Sequence, residues 1–271
     1  MGICNVTPDS FSDGGRHLAP AAARARVDDL LAEGADVVDV GGESTRPGAH
    51  PVPPAEQLAR VLDVVGYAAG RGACVSIDTT SPEVVAAALD AGACAVNDVS
   101  CLRGGGLAEV VAGSGAALVL MHSRGTPGEM RGFSHYPDGA YGDVVRDVCA
   151  EWEEAAARAR SAGVPREALV MDPGLGFAKN ARHSAELLAR LGEVVRAVGV
   201  PVAIGASRKS FLTMVDAEAP PSERLGASLA AAVHAAFAGA ALLRVHDVRA
   251  TRQAVDLARR LAPGPGPGGR P

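Results

Sequence analysis

The sequence predicts a single-domain α/β protein, a closed (β/α)8 TIM barrel, and three observations lead there. Short apolar runs alternate with longer helical stretches along the whole chain, the pattern of repeated βαβ units. Eight of those runs stop at a polar side chain, which in a parallel barrel places the chemistry at one rim. Composition agrees: 48% hydrophobic but only 3% aromatic residues means a core of Ala, Val and Leu, suited to strands buried on both faces. An open doubly wound sheet would need fewer strands and a single Gly-rich crossover.

Taken in order, the strands stop at Asn5 after Met-Gly-Ile-Cys, at Gly41-Gly42-Glu43 after DVVDV, at Asp78 after CVSI and at Asn97-Asp98 after CAV. The remaining stops are His122 after ALVLM, Asp172 after ALVM, Ser207-Arg208-Lys209 after PVAIGA, and Arg244 with His246 after ALL. Helices are expected at 19–33, 54–69, 82–91, 106–114, 141–162, 184–198, 222–238 and 248–261. Gly34, Gly92, Gly163 and Gly239 follow helical runs as C-terminal punctuation, and Ser81-Pro82 is a capping Ser with Pro at the first helical position. Three long connections, 7–20, 42–53 and 123–139, fall on the polar rim and read as lids. The barrel domain spans 1–262, and the tail 263–271 (PGPGPGGRP) is expected to be disordered. Because the first strand begins at Met1, either other residues close the barrel bottom or the native start lies upstream.

Bulk properties exclude several classes. A length of 271 residues suits one large core, and a net charge of -5 argues against general nucleic-acid affinity, so any anion must meet a local basic cluster. No apolar stretch approaches the roughly 20 residues of a membrane span. No basic-then-apolar leader precedes the first strand, which points to the cytoplasm. The five cysteines are never spaced as CxxC and are expected to be reduced and mostly buried.

Three groups of side chains carry candidate chemistry. Ser207, Arg208, Lys209 and Ser210 follow strand seven, while Arg244 and His246 share one side of strand eight because alternate residues do. Loops after strands seven and eight are the usual phosphate cradle of such barrels, and a guanidinium fork matches phosphate oxygens. The plain alternative is a solvated charged rim. Asp78, Asn97 and Asp172 could accept hydrogen bonds from the edge of a planar heterocycle, or the two aspartates could merely cap helices. Asn5 offers an amide oxygen to a hydrated Mg²⁺ on a substrate phosphate, or else begins a turn. In Gly41–Gly48 (GGESTRPG) a swinging Arg46 could stabilise a departing anion, with a surface arginine as the alternative. His122 reads as a core-edge histidine more readily than a catalytic one.

NVTPDSFSDGG, GGESTRPGA, SIDTT, VNDVS, LMH, DPGLGFAKN, IGASRKS, ERLGASLA and RVHDV occur in the order found in the dihydropteroate synthases, a family of pterin-binding barrels that this chain resembles from Met1 to about Leu261. The resemblance implies condensation of 6-hydroxymethyl-7,8-dihydropterin pyrophosphate with p-aminobenzoate, at a site where sulfonamides compete. It implies that Asp78, Asn97, Asp172 and Lys209 hold the pterin, with Met121, Gly205 and Phe177 lining its pocket. Asn5, Arg244 and His246 would hold the pyrophosphate, with Mg²⁺ beside Asn5. Phe11, Thr45, Arg46, Pro47, Lys209 and Ser210 would frame p-aminobenzoate, and Asp13 and Arg46 would come from two closing loops, making Asp13, Arg46 and Lys209 the catalytic set. A homodimer is implied as well. Members carry a short hairpin before the first strand, absent here, and Thr80-Ser81 and Ser123 depart from the usual residues without removing a named ligand. Two other readings share the barrel. A methyltetrahydrofolate-dependent corrinoid methyltransferase leaves the cationic residues unexplained, and an inactive pterin-binding paralogue would be expected to lose Asp13, Thr45, Arg46 or Lys209.

Overall fold

A computed structural model describes residues 1–7, 19–43, 52–125 and 136–262 of the chain. Strands β1 (Gly2–Asn5), β2 (Val37–Gly41), β3 (Cys74–Asp78), β4 (Ala95–Asp98), β5 (Ala117–Met121) and β6 (Leu169–Asp172) pair in sequence order as one parallel sheet. β7 (Ala203–Ile204) and β8 (Leu242–Leu243) pair with each other. Backbone hydrogen bonds just outside these short strands close the ring. Met171 N–H donates to Pro201 O at 2.9 Å, joining β6 to β7. Ile3 N–H donates to Val245 O and Val245 N–H to Met1 O, both at 3.0 Å, joining β8 to β1. The predicted (β/α)8 barrel is therefore closed by hydrogen bonds at every neighbour.

Strand alternation divides the side chains into two sets. The outward set, including Val38, Val40, Val75, Ile77, Leu118, Leu120, Leu169 and Met171, is buried in one cluster with the inner faces of the helices. Those helices are α1 (Ala19–Ala32), α2 (Pro54–Gly70), α3 (Pro82–Asp90), α4 (Leu107–Ser114) and α5 (Val144–Ser161), followed by α6 (Ala181–Ala189), α7 (Leu191–Val198), α8 (Leu225–Phe237) and α9 (Val248–Leu261). The inward set begins with Met1, Val119 and Ala203, packed with Val37, Val170 and Leu242 at the N-terminal end of the strands. Residues of the ring thus pack together at the barrel bottom.

Local chemistry explains the helix boundaries. Ser81 caps α3 by accepting from Val84 N–H, and Asp143 caps α5 by accepting from Val145 and Arg146 N–H. The helix expected at 184–198 starts earlier, where Asn180 Oδ1 accepts from His183 N–H at 2.9 Å, and it breaks at Arg190 into α6 and α7. His234 Nε2 donates to Leu188 O at 2.8 Å, satisfying a carbonyl that an unbroken helix would have used internally. The cysteine expectation needs a larger correction: Cys74 and Cys94 form a disulfide with Cα atoms 6.1 Å apart, while Cys4 and Cys101 are free and buried. Twenty residues separate the pair in sequence, and only the pairing of β3 with β4, where Ser76 opposes Ala95, brings them together. The tail 263–271 lies outside the described residues.

α5 fixes the end of β5 through Trp152, which is fully buried and donates from Nε1 to Leu120 O at 2.9 Å. Trp152→Ala is expected to lower unfolding stability by about 3–5 kcal/mol, through a cavity and an orphaned carbonyl. Urea unfolding followed by circular dichroism measures this, and a loss under about 1 kcal/mol would contradict the packing role.

Candidate active site

Above the apolar floor, every strand sends one inward position towards the C-terminal rim: Asn5, Asp39, Asp78, Asn97, Met121, Asp172, and, just past the short last strands, Gly205 and Arg244. Register sets their heights. Asn5 opposes Gly41, Gly41 opposes Asp78, Asp78 opposes Asn97, and Met121 opposes Asp172. Asp39 lies two residues below Gly41, one layer deeper. A β-carbon built on Gly205 would lie 3.7 Å from Lys209 Nζ, 3.9 Å from Arg244 Cβ and 3.9 Å from Asp172 Oδ2. The expected pterin-binding and pyrophosphate-binding groups therefore meet around one residue without a side chain. Gly41 plays the same part between Asn5 Oδ1 and Asp78 Oδ2, each 3.7 Å from its virtual β-carbon.

Hydrogen bonds hold these groups in place. Arg244 donates from Nε to Asp39 Oδ2 and from Nη2 to Asp78 Oδ2, both at 2.6 Å. Asp172 Oδ1 accepts from Gly174 N–H at 2.7 Å. Gly174 has φ +69, and any β-carbon there would come 2.1 Å from His122 O, so no other residue fits. Lys209 Nζ donates to Leu175 O at 2.6 Å and lies 4.7 Å from the centre of the Phe177 ring, a cation–π contact. Phe177 packs with Met121 and Val99 as a small apolar wall at the mouth. Ser207 Oγ accepts from His246 N–H at 3.2 Å and lies 3.0 Å from His246 Nδ1. Ser210 opens the short 3₁₀ turn Ser210–Met214 directly after Lys209.

Burial and the charges inside the ring shift the ionisations. Burial pushes the Asp78 carboxyl up to about 7, opposed by Arg244 and reinforced by Asp39. Burial brings Lys209 down to about 8, with Asp172 pulling the other way. Arg244 also suffers from burial, but Asp39 and Asp78 outweigh it and hold the guanidinium firmly charged. His246 falls to about 4, by burial first and then by Arg208 and Arg244. Its imidazole is neutral near pH 7, with Nδ1 within hydrogen-bond distance of the Ser207 hydroxyl.

Arg208 and His122 settle into the plainer of the roles open to them. Arg208 forms a two-pronged ion pair with Asp247, at 3.0 Å and 2.6 Å, and so serves the loop rather than an anion. His122 is fully buried between Lys179 Nζ at 2.8 Å and Glu151 Oε2 at 3.1 Å, a core-edge histidine. Sequence reading missed Lys179, which also donates to Phe177 O at 3.1 Å and which burial brings down to about 7. It missed Asp39, although a charged residue inside the apolar run DVVDV was a visible signal. It also missed Gln57, which is buried in α2 and donates to Glu43 Oε2 at 3.3 Å and Val52 O at 2.9 Å. Those bonds draw together the two ends of the second long loop. Phe11, Asp13, Thr45, Arg46 and Pro47 lie outside the described residues.

The donor set suits a Mg²⁺ that arrives with a diphosphate. Asn5 Oδ1 is one hard oxygen beside the cationic cluster, and Asp78 Oδ1 is a buried acceptor without a partner among the described residues. Mg²⁺ commonly takes one or two protein oxygens and completes its shell from water and phosphate.

A closed parallel barrel with acceptors and cations gathered at its C-terminal rim defines an enzyme of the small-molecule barrel class. A family model described as pterin binding enzyme matches residues 1–246. The dihydropteroate synthase of Mycobacterium leprae (strain TN) is 47% identical over 263 residues, covering 95% of this chain and 91% of that protein. The solved structure of Xanthomonas albilineans dihydropteroate synthase with 4-aminobenzoic acid matches with a TM-score of 0.89 at 42% identity, over 98% of this chain and 93% of that one. A complex of the same organism's enzyme with 7,8-dihydropteroate matches with a TM-score of 0.85 at 39% identity, over 98% and 94% of the two chains. The chain belongs to the dihydropteroate synthases, a family of pterin-binding transferases.

The His246 shift has a testable sign. Its folded pKa of about 4 lies below the ordinary 6.5, so its contribution to stability is complete above 6.5 and is lost as pH falls through 4. Side-chain NMR at pH 5.5 should show His246 and His122 neutral, and His246→Gln should flatten part of the stability loss on acidification. Protonation of His246 near pH 6.5 would contradict the buried assignment.

Proposed function

We propose that the chain condenses 6-hydroxymethyl-7,8-dihydropterin pyrophosphate with p-aminobenzoate, releasing 7,8-dihydropteroate and pyrophosphate. The observation that carries the reading is the meeting of Asp172, Lys209 and Arg244 around Gly205, where ring acceptors and anion-binding cations share one mouth. Asp78, Asn97 and Asp172 accept from the N–H and amino groups along the pterin edge, and Lys209 sits at the junction of ring and tail. Met121, Phe177 and Gly205 leave a slot for a flat ring. Arg244, His246 and Asn5 face the diphosphate.

The reaction needs little proton transfer by the protein. The exocyclic C–O bond breaks, the diphosphate leaves with the bonding electrons, and the neutral aromatic amine attacks that carbon and afterwards loses a proton to water. The chain's own residues stabilise the charge that develops on the leaving group, where fixed cations in a poorly solvated site act most strongly. Asn5 would hold a Mg²⁺ arriving with the substrate, and the ion would supply additional neutralisation of the diphosphate. The family resemblance assigns Phe11, Thr45, Arg46, Pro47 and Ser210 to p-aminobenzoate, and Asp13 and Arg46 to excluding water as a competing nucleophile. The enzyme works in the cytoplasm as a homodimer and is a target for sulfonamides. A corrinoid methyltransferase would have no use for the cations around Gly205.

A coupled assay of pyrophosphate release tests the reading. Release should require the pterin substrate, p-aminobenzoate and Mg²⁺ together, and chelation with EDTA should stop it reversibly. Lys209→Ala is expected to lower kcat/KM by at least about a hundredfold with an unchanged circular dichroism spectrum. Normal turnover by that variant would remove Lys209 from the site, and release independent of p-aminobenzoate would overturn the reaction.

A further inference from the structure

We propose that Asp39 is a positioning residue: it tethers Arg244 by Nε and Asn97 by its amide, so that the free end of the Arg244 fork can exchange Asp78 for the substrate diphosphate. The inference rests on the synthase reading and deepens it, since nothing above gives Asp39 a part in the reaction. Asp39 is fully buried in the middle of β2, a place where the interior of a barrel ordinarily carries Val, Ile or Leu. A carboxylate there costs desolvation unless its charge is used. One oxygen, Oδ2, accepts from Arg244 Nε at 2.6 Å and from Asn97 Nδ2 at 3.4 Å. The other, Oδ1, is buried with no partner among the described residues.

The geometry separates two jobs within one guanidinium. Nε is spent on Asp39, one layer below the rim, while Nη2 is spent on Asp78 at the rim itself, at 2.6 Å. Asp78 is also the acceptor that the pterin edge needs. Asp78 Oδ1 has no partner among the described residues and can take a pterin donor, while the diphosphate draws Nη2 away from Oδ2 and the deeper tether keeps Nη2 aimed at the mouth. Without Asp39 the fork would be free to close on Asp78 with two parallel bonds, the favoured Arg–carboxylate arrangement. One contact would then remove both a pterin acceptor and a diphosphate cation. Asn97 hangs from the same oxygen, so the tether sets two of the substrate-facing groups at once.

The test is Asp39→Asn in the full chain, alone and combined with Arg244→Lys, which keeps the charge but has no Nε fork. Asp39→Asn should raise KM for the pterin pyrophosphate at least about tenfold, the scale of a charge-assisted hydrogen bond, and leave KM for p-aminobenzoate within about twofold. In the Arg244→Lys background the same substitution should add less than about threefold, because the Nε tether is gone and only the longer bond to Asn97 remains. An unchanged KM, an equal effect in both backgrounds, or both KM values rising together with a lower melting temperature would overturn the proposal in favour of a purely structural acid.

If Asp39→Asn fails to fold, the wild-type enzyme still decides. The Arg244 Nε–H signal in ¹⁵N NMR should stay protected from exchange when inorganic pyrophosphate is added, and exchange at the rate of a free arginine would overturn the tether. If wild-type enzyme releases no pyrophosphate, the synthase reading fails separately. Calorimetric binding of inorganic pyrophosphate to wild type and Asp39→Asn then tests Asp39: about tenfold weaker binding supports it and equal binding refutes it.

Discussion

A guanidinium held between two buried carboxylates is the constraint around which the mouth of this barrel is arranged. Arg244 reaches Asp39 from β2 and Asp78 from β3 with one side chain from the strand that closes the ring. Groups this deep lose most of their hydration, and the arrangement is tolerable only because each charge faces an opposite one. Two carboxylates against one cation leave an excess of negative charge, which adds to the larger effect of burial in raising the Asp78 carboxyl to about 7, with Arg244 pulling the other way. Under the proposed function, that excess suits a pocket that accepts hydrogen bonds from a ring. The cations at the rim then counter it for a diphosphate.

Barrel order was legible because each strand stop carries a polar residue in a run of Val, Ala and Leu, and the backbone bonds at Pro201 and Val245 complete the ring those stops imply. Asp78, Asn97, Asp172, Lys209 and Arg244 were legible for the same reason: they sit where a strand ends. What stayed hidden depends on contacts across the barrel. Nothing local distinguishes Cys74 and Cys94 from the free cysteines, because only the β3–β4 pairing makes them neighbours. Lys179 looks like an ordinary loop lysine until the loop after β6 folds back and lays it between His122 and Phe177. Arg208 looked like a phosphate ligand, but its partner Asp247 lies 39 residues away and takes both prongs.

The loop after β6 shows how tightly neighbouring segments share responsibility. Gly174 passes the end of β5 with no room for a side chain, Leu175 O receives Lys209, and Phe177 forms the apolar wall while its carbonyl receives Lys179. A stretch of a few residues thereby links strands five, six and seven. Its backbone is held by glycine conformation, by its own Lys179 and by the Lys209 ammonium from the loop after β7, with little regular secondary structure of its own.

Drawing one pocket position from each of eight strands has a consequence for the energetics of the whole molecule. No contiguous fragment owns enough of the pocket to hold a ligand, so affinity exists only in the fully closed ring. Occupancy then acts as a hoop around a cask: whatever grips the mouth opposes the separation of any two staves, including those it never touches. Folding cooperativity and ligand affinity are in this way two expressions of the same closure.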